Sequence, residues 1–269
     1  MSAIRIIMLL LLLHGSTYAG WVITEESTDS FGNSLIQTTF IQNNLIRHET
    51  PTSVAIIDLN NKIITMIFPQ HKLYWTGTTD ELKVSSIEAY DLQMKKLLAG
   101  LPPYERNKLE SIYLKIKQQM FDSSYSAICS KIEIKETDDK QEILGFNTIK
   151  YNVLVDSIVT ESIWHTTDIQ PYNDIDINSM ITFMQQLNPA KEKSSVTQTD
   201  EYLHLLKSGI LLKSIEFLPD SNKQEISVKN IREINIVPDF FLPPKNYRKA
   251  ALSDILNYMP DNADIELNR

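Results

Sequence analysis

Residues 56–75 read IIDLNNKIITMIFPQHKLYW. Asn60-Asn61 is turn chemistry between two apolar runs, so the stretch reads as a tight hairpin. Its second arm is apolar on both sides. Alternation along a strand puts Ile63, Thr65 and Ile67 on one face and Ile64, Met66 and Phe68 on the other. An antiparallel sheet with a solvated face keeps that face polar, so this strand needs two covers. We expect Ile63 and Ile67 to line the concave face of a curved sheet beneath helices. Ile64, Met66 and Phe68 then lie on the convex face, under the C-terminal segment or an outer helix.

Upstream, residues 21–76 are almost all strand and turn. Turn chemistry recurs at Phe31-Gly32-Asn33, Asn43-Asn44, Thr50-Pro51, Asn60-Asn61 and Pro69-Gln70. That spacing predicts six short strands in meander order. The period then changes. Thr78-Thr79-Asp80 can cap a helix whose apolar residues fall at Val84, Ile87, Tyr90, Met94 and Leu97. Gly100-Leu101-Pro102-Pro103 ends it and opens a second helix carrying Leu109, Ile112, Tyr113, Ile116 and Met120. Residues 79–121 therefore form a helical hairpin insert.

Strand character returns over 127–136, breaks at a turn over 137–140, and resumes over 146–155 and 159–167. A second helical insert spans 174–208. Asp174 or Asp176 caps a helix bearing Ile177, Met180, Met184 and Leu187, and Ser195 with Gln198 makes a capping-box pattern for a shorter helix ending at Gly209. Long strands at 210–218 and 224–237 follow. The prolines of Phe240-Phe241-Leu242-Pro243-Pro244 take the chain out of the sheet, where the two phenylalanines can cover a sheet edge or barrel end. The tail, 250–269, opens with a short amphipathic helix. The fold class is α+β: a strongly curved, half-open antiparallel β-barrel of about eleven strands, with two helical inserts covering its concave face.

At the N-terminus, Arg5, the apolar run 6–13, and Thr17 and Ala19 at positions −3 and −1 make a secretory signal peptide over residues 1–19. Its apolar run is far too short to span ~30 Å of hydrocarbon. The mature chain, 20–269, reads as one exported domain, periplasmic or secreted. No cysteine follows the cleavage site to carry a lipid anchor. The sole cysteine, Cys129, excludes an intramolecular disulfide and is read as a half-buried thiol. The formal net charge is −8, and no lysine or arginine cluster stands out in the sequence. Nucleic acid and anionic membrane surfaces are therefore not expected partners. No stretch of the mature chain is long and apolar enough to cross a membrane.

Catalytic signals are weak. His165 and Asp168 in WHTTD have opposite strand parity and should not pair, and a strand histidine between such neighbours reads as partly exposed. Glu201 and His204 share a helix face, but two ligands do not make a metal site. There is no GxSxG context and no glycine-rich phosphate loop, and the chain has only seven glycines. We expect no catalytic residue, no metal and no cofactor.

Several stretches taken together carry a resemblance. Arg47 in LIRHET, followed by SVAIIDLNNKIITMIFPQHKLYW, resembles the early strands of the periplasmic lipoprotein carriers LolA and LolB. ILGFNTIKYNVLVD, TESIWHTTDI, SGILLKSIEF and IVPDFFLPPKNYRK, in that order, more closely resemble an uncharacterised bacterial exported domain family related to those carriers. The resemblance runs over most of the mature chain, 21–248. It implies a half-open antiparallel barrel with a helical lid, and an apolar space between sheet and lid that in the carriers holds lipoprotein acyl chains. Arg47 matches a strand arginine that helps fasten the lid; read from its strand alone, it is an outward-facing arginine on a solvated face, and that is the reading the residues favour. The 79–121 hairpin is longer here than in the carriers.

The residues expected to contact an apolar ligand, a lipid or a lipidated protein, are Arg47, Ile63, Ile67, Ile87, Tyr90, Met94, Leu97, Ile116, Met120, Met180 and Met184. Methionine suits a cavity that must adapt to varied apolar chains. Ile87, Tyr90, Met94 and Leu97 should face the sheet. The alternative is a packed structural or partner-binding domain that has this fold without a cavity.

Overall fold

The structure, a computed structural model, describes residues 19–121, 131–187, 199–218 and 221–256. The signal-peptide residues 1–18, Cys129, the Ser195–Gln198 pattern and the tail beyond residue 256 lie outside the described residues.

All described strands belong to one sheet. The first meander is β1 (Gly20–Thr28), β2 (Ser34–Gln42), β3 (Leu45–Glu49), β4 (Val54–Asp58), β5 (Ile63–Phe68) and β6 (Leu73–Thr78). The second is β7 (Ile132–Ile143), β8 (Phe146–Val155), β9 (Ile158–Thr166), β10 (Ile210–Phe217) and β11 (Lys223–Ile234). β1 pairs with both β2 and β11, which places the N-terminal strand in the middle and welds the two meanders together. A two-residue strand, β12 (Arg248–Lys249), adds to the edge of β6 in parallel and brings the total to twelve. The sheet is curved and unclosed, with β12 and β7 as its edges. This is the half-open antiparallel architecture the sequence implied.

The turns follow from local chemistry. Asn43-Asn44, Leu144-Gly145 and Asp156-Ser157 each hold two successive residues at positive φ, the backbone that matches strand twist in two-residue hairpins. Leu144-Gly145 replaces the turn expected at 137–140. There the chain bulges while staying in β7: the register shifts between Glu136 and Lys140, and Thr137 Oγ1 donates to the Lys150 carbonyl (3.0 Å).

Helix α1 (Thr79–Ala99) begins with a capping box, in which Thr78 accepts from the Glu81 amide and Glu81 accepts from the Thr78 amide (2.7 Å). Helix α2 (Pro103–Phe121) returns alongside it, with proline in its first turn. Helix α3 (Ile177–Leu187) is capped by Asp176, whose Oδ1 accepts from the Asn178 (3.0 Å) and Ser179 (3.2 Å) amides. Thr199 caps helix α4 (Asp200–Ser208). A last short helix, α5 (Leu252–Leu256), buries Leu252 and Ile255.

One buried cluster joins the sheet to the helices: Ile64 and Phe68 of β5, Leu73 and Trp75 of β6, Leu212 of β10 and Val228 of β11 meet Phe183 of α3 and Leu252 and Ile255 of α5. A second cluster lies on the opposite face, where Val54, Ile56 and Ile67 pack under Ile236 and Phe241 of the C-terminal segment. The double cover required by β5 is real, but the faces are exchanged relative to expectation. Ile64, Met66 and Phe68 face the helices, and Ile67 faces the C-terminal strap. Alternation groups residues by face without saying which face is concave; the return of the chain at 234–241 settles that.

Candidate functional site

The concave face changes character along the length of its strands. Beneath α1, α3 and α5 it is apolar, built on Ile64, Phe68, Leu73 and Trp75. On β1–β3 Ile23, Ile41 and Ile46 belong to the same cluster, and further along these strands the face turns polar: Gln37 Nε2 donates to Glu25 Oε2 (3.1 Å), and Thr39 Oγ1 lies 3.0 Å from His48 Nδ1. Burial pushes the Glu25 carboxyl up, against the hydrogen bond from Gln37 and the charge of His48. On the far strands, Glu161 stands directly opposite Glu216. Burial and that like charge raise Glu161 to about 7. Burial raises Tyr202 of α4 to about 12, with Glu161 and Glu25 adding to the shift. The concave face thus pairs an apolar end with a polar, acidic one.

Helix α1 covers the apolar end. Thr79 and Ala89 are its buried residues, and Leu82 packs against the core cluster. Thr79 Oγ1 donates to Gln186 Oε1 of α3 (3.0 Å). Grooves run along both sides. A small one of about 110 Å³ lies between Leu82, Ser86 and Ile87 of α1 and Leu187 of α3. A larger one of about 660 Å³ opens between Trp75, Val84 and Ser85 and the residues leading into α5, Ala250 and Ala251.

The residues expected to form the site are dispersed. Ile87 lines the small groove, and Met180 packs partly buried against the main core. Tyr90 leans on Tyr113 of α2, ring centres 5.5 Å apart, and Met94 lines a groove between α1 and α2. Neither belongs to the core cluster under the helices. Leu97 is 52% exposed and Met184 51% exposed, so both expectations of inward orientation are corrected. Ile63 sits half-exposed at the start of β5, and Ile67 is buried on the opposite face. The side chains of Ile116 and Met120 lie outside the described residues. Sequence reading missed Leu82, Ala89, Phe183, Leu252 and Ile255. Phe183 was recoverable, because 177, 180, 183 and 187 form an i, i+3 stripe as good as the one through Met184.

Arg47 is also elsewhere. Its guanidinium lies 4.4 Å from the centre of the Phe240 ring, Nη1 donates to the Phe240 carbonyl (2.8 Å) and Nε to Glu49 Oε1 (2.6 Å). It fastens the C-terminal strap to the convex face rather than a lid to the concave one. The strap lies over the strands β2–β5 rather than over an edge, with Phe240 meeting Phe40 edge-on at 4.7 Å.

His165 is buried at 4% exposure, not partly exposed, and Nε2 donates to the Leu205 carbonyl of α4 (2.8 Å). Asp168 instead accepts from the Asn147 amide (3.1 Å), so the two do not form a base–orienter pair. Burial holds the His165 imidazole low. A polar cleft of about 640 Å³ beside it includes Tyr151, Asp168 and His204. Among the described residues, no group of three or more histidine, cysteine, aspartate or glutamate side chains could hold a metal ion. No described helix is long and apolar enough to cross a membrane.

No protein-family model and no curated protein matches the sequence. Solved structures similar in chain path include PNGF-II, at 13% identity and a TM-score of 0.37, covering 89% of this chain and 32% of that one. The chain therefore spans about a third of PNGF-II's length. A putative outer membrane lipoprotein-sorting protein domain from Vibrio parahaemolyticus aligns at 7% identity and a TM-score of 0.28, over 88% of this chain and 95% of that one. A LolA superfamily protein from Nitrosomonas europaea aligns at 6% identity and a TM-score of 0.25, over 85% and 90%. No residue role passes from these proteins to this sequence.

Proposed function

We propose that this is an exported, non-enzymatic binding protein that takes an amphiphile, a lipid or an acylated polypeptide, between the curved sheet and helices α1, α3 and α5. The observation that carries this reading is the way α1 is attached. It lies over an apolar core, yet its buried residues are Thr79 and Ala89, with open grooves on both flanks. A long helix with so few fully buried residues opens at low free energy. Its displacement would offer an acyl chain the Trp75 and Leu82 surfaces, with the polar groups around Glu25 and His48 available to a head group. Leu82, Ile87, Trp75 and Met180 are the contacts proposed in place of the dispersed ones.

A second reading, a packed structural domain without a ligand, draws on a different observation. Phe183, Leu252 and Ile255 already fill the concave face with the protein's own side chains. Native mass spectrometry of the mature protein from an exporting host separates the two. The binding reading expects a co-purifying lipid or acyl adduct and displacement of a fluorescent fatty acid. A protein with no adduct and no affinity for the probe is the packed domain. The same preparation, sequenced from its N-terminus, tests export: the expected first residue is Gly20, and an intact Met1 or Ser2 would refute processing.

A further inference from the structure

The hairpin of α1 and α2 ends in an uncharged run, Leu97-Leu98-Ala99-Gly100-Leu101-Pro102-Pro103-Tyr104. It stands clear of the core. Ala89 is the last buried residue of α1, and Leu97 lies eight residues, ~12 Å, beyond it. Tyr104 is 82% exposed. The tip is nevertheless well built: the Gly100 amide donates to the Leu97 carbonyl (3.2 Å), the Leu101 amide to the Leu98 carbonyl (3.3 Å), and Arg106 Nη2 to the Leu101 carbonyl (3.1 Å). Leu97 and Tyr104 thus face water at the end of a hydrogen-bonded turn, and among the described residues neither belongs to a core cluster.

Its charge points to the occupant. Lys95 and Lys96 precede the tip and Arg106 and Lys108 follow it, against the carboxylates of Glu105 and Glu110, in a chain whose net charge is −8. Lys95 and Arg106 line one groove between the two helices, together with Met94, Leu98, Glu110 and Asp91, the last of these paired with Lys117. The sequence shows no basic cluster because these cations lie in two pairs about ten residues apart, and only the hairpin brings them together. A tyrosine and leucines ringed by lysine and arginine match the polar–apolar boundary of a bilayer with anionic lipids.

We propose that the hairpin tip, residues 97–104, docks on an anionic phospholipid bilayer. Leu97 and Tyr104 enter the head-group region, and Lys95, Lys96, Arg106 and Lys108 contact lipid phosphates. This surface is separate from the concave layer, so membrane docking and amphiphile binding can fail independently.

Co-sedimentation of the mature protein with vesicles tests it, using pure phosphatidylcholine and phosphatidylcholine mixed with phosphatidylglycerol. Partition should rise roughly tenfold or more with the anionic lipid and fall with added salt. L97D with Y104D should abolish it, and K95E with K96E should reduce it about tenfold on the anionic vesicles alone. F31D, which alters a phenylalanine 80% exposed at the β1–β2 turn, should change nothing. The changes are at exposed positions, so far-UV circular dichroism should be unaltered. No partition by the parent protein, or equal partition by L97D/Y104D, overturns the proposal. So does a solution dimer that the tip variants dissolve, since the tip would then serve a second copy of the chain.

Discussion

The two covers of β5 are held in opposite ways. On the convex face, the strap at residues 234–241 is short but locked, with Phe241 and Ile236 buried and Phe240 fixed by the Arg47 guanidinium through its ring and its carbonyl. On the concave face, α1 is long but loosely tied, with two buried residues and exposed apolar side chains at Val84 and Leu97. Length does not measure attachment; buried apolar area and satisfied polar groups do. On the proposed reading the strap is the fixed cover, and α1 with α2 is the cover that moves.

Substitutions in the strap should dominate. Phe241→Ala leaves a cavity beside Ile56 and Ile67 and should cost about 3–4 kcal/mol by denaturant unfolding. Arg47→Ala removes an ion pair, a carbonyl hydrogen bond and a ring contact in a largely buried setting, and should cost about 2 kcal/mol. Arg47→Lys should recover less than half of that loss, because an ammonium lacks the planar fork that reaches Glu49 and the Phe240 carbonyl together. A loss below ~0.5 kcal/mol for either Phe241→Ala or Arg47→Ala would mean that the strap is not locked.

The polar end of the concave face gives a pH-dependent prediction of intermediate size. With Glu161 raised to about 7 from a usual value of 4.5, the folded state favours the protonated acid. Stability from this group is full below pH 4.5 and is lost as pH rises through 7. Glu161→Gln should therefore be more stable than the parent at pH 8, by about 1–2 kcal/mol after allowing for solvent screening, with no such gain near pH 4. A gain independent of pH would point to packing instead of ionisation. Smallest of all, Leu97→Asp should change stability by no more than ~0.5 kcal/mol, because its side chain is half-exposed beyond the last buried turn.

Much of this fold could be read from the residues, and the reasons differ by element. Turn pairs such as Asn43-Asn44 and caps such as Asp176 are local chemistry, so the meander and the helical inserts were legible. The bulge at 137–139 was not. Asp138-Asp139 has the composition of a turn, and only pairing with β8 keeps the strand running. The double cover of β5 was visible in its apolar residues, whereas its orientation depended on where residues 234–241 return. The same limit applies to the site. Periodicity placed Met94 and Leu97 on an apolar stripe of α1, but that stripe meets α2 and solvent, while Leu82 packs against the core cluster and Ala89 is buried. An alanine gives no signal of its own burial.

Hydrogen exchange with and without a monomeric single-chain fatty acid tests the central claim most directly. The account predicts that the amides of α1 and α2 exchange far faster than those of β5 and the strap. It also predicts that the fatty acid slows exchange at residues 79–89 and 252–256 and leaves the strap unchanged. Protection of α1 equal to that of β5, or no change at residues 79–89 on adding the fatty acid, would contradict it.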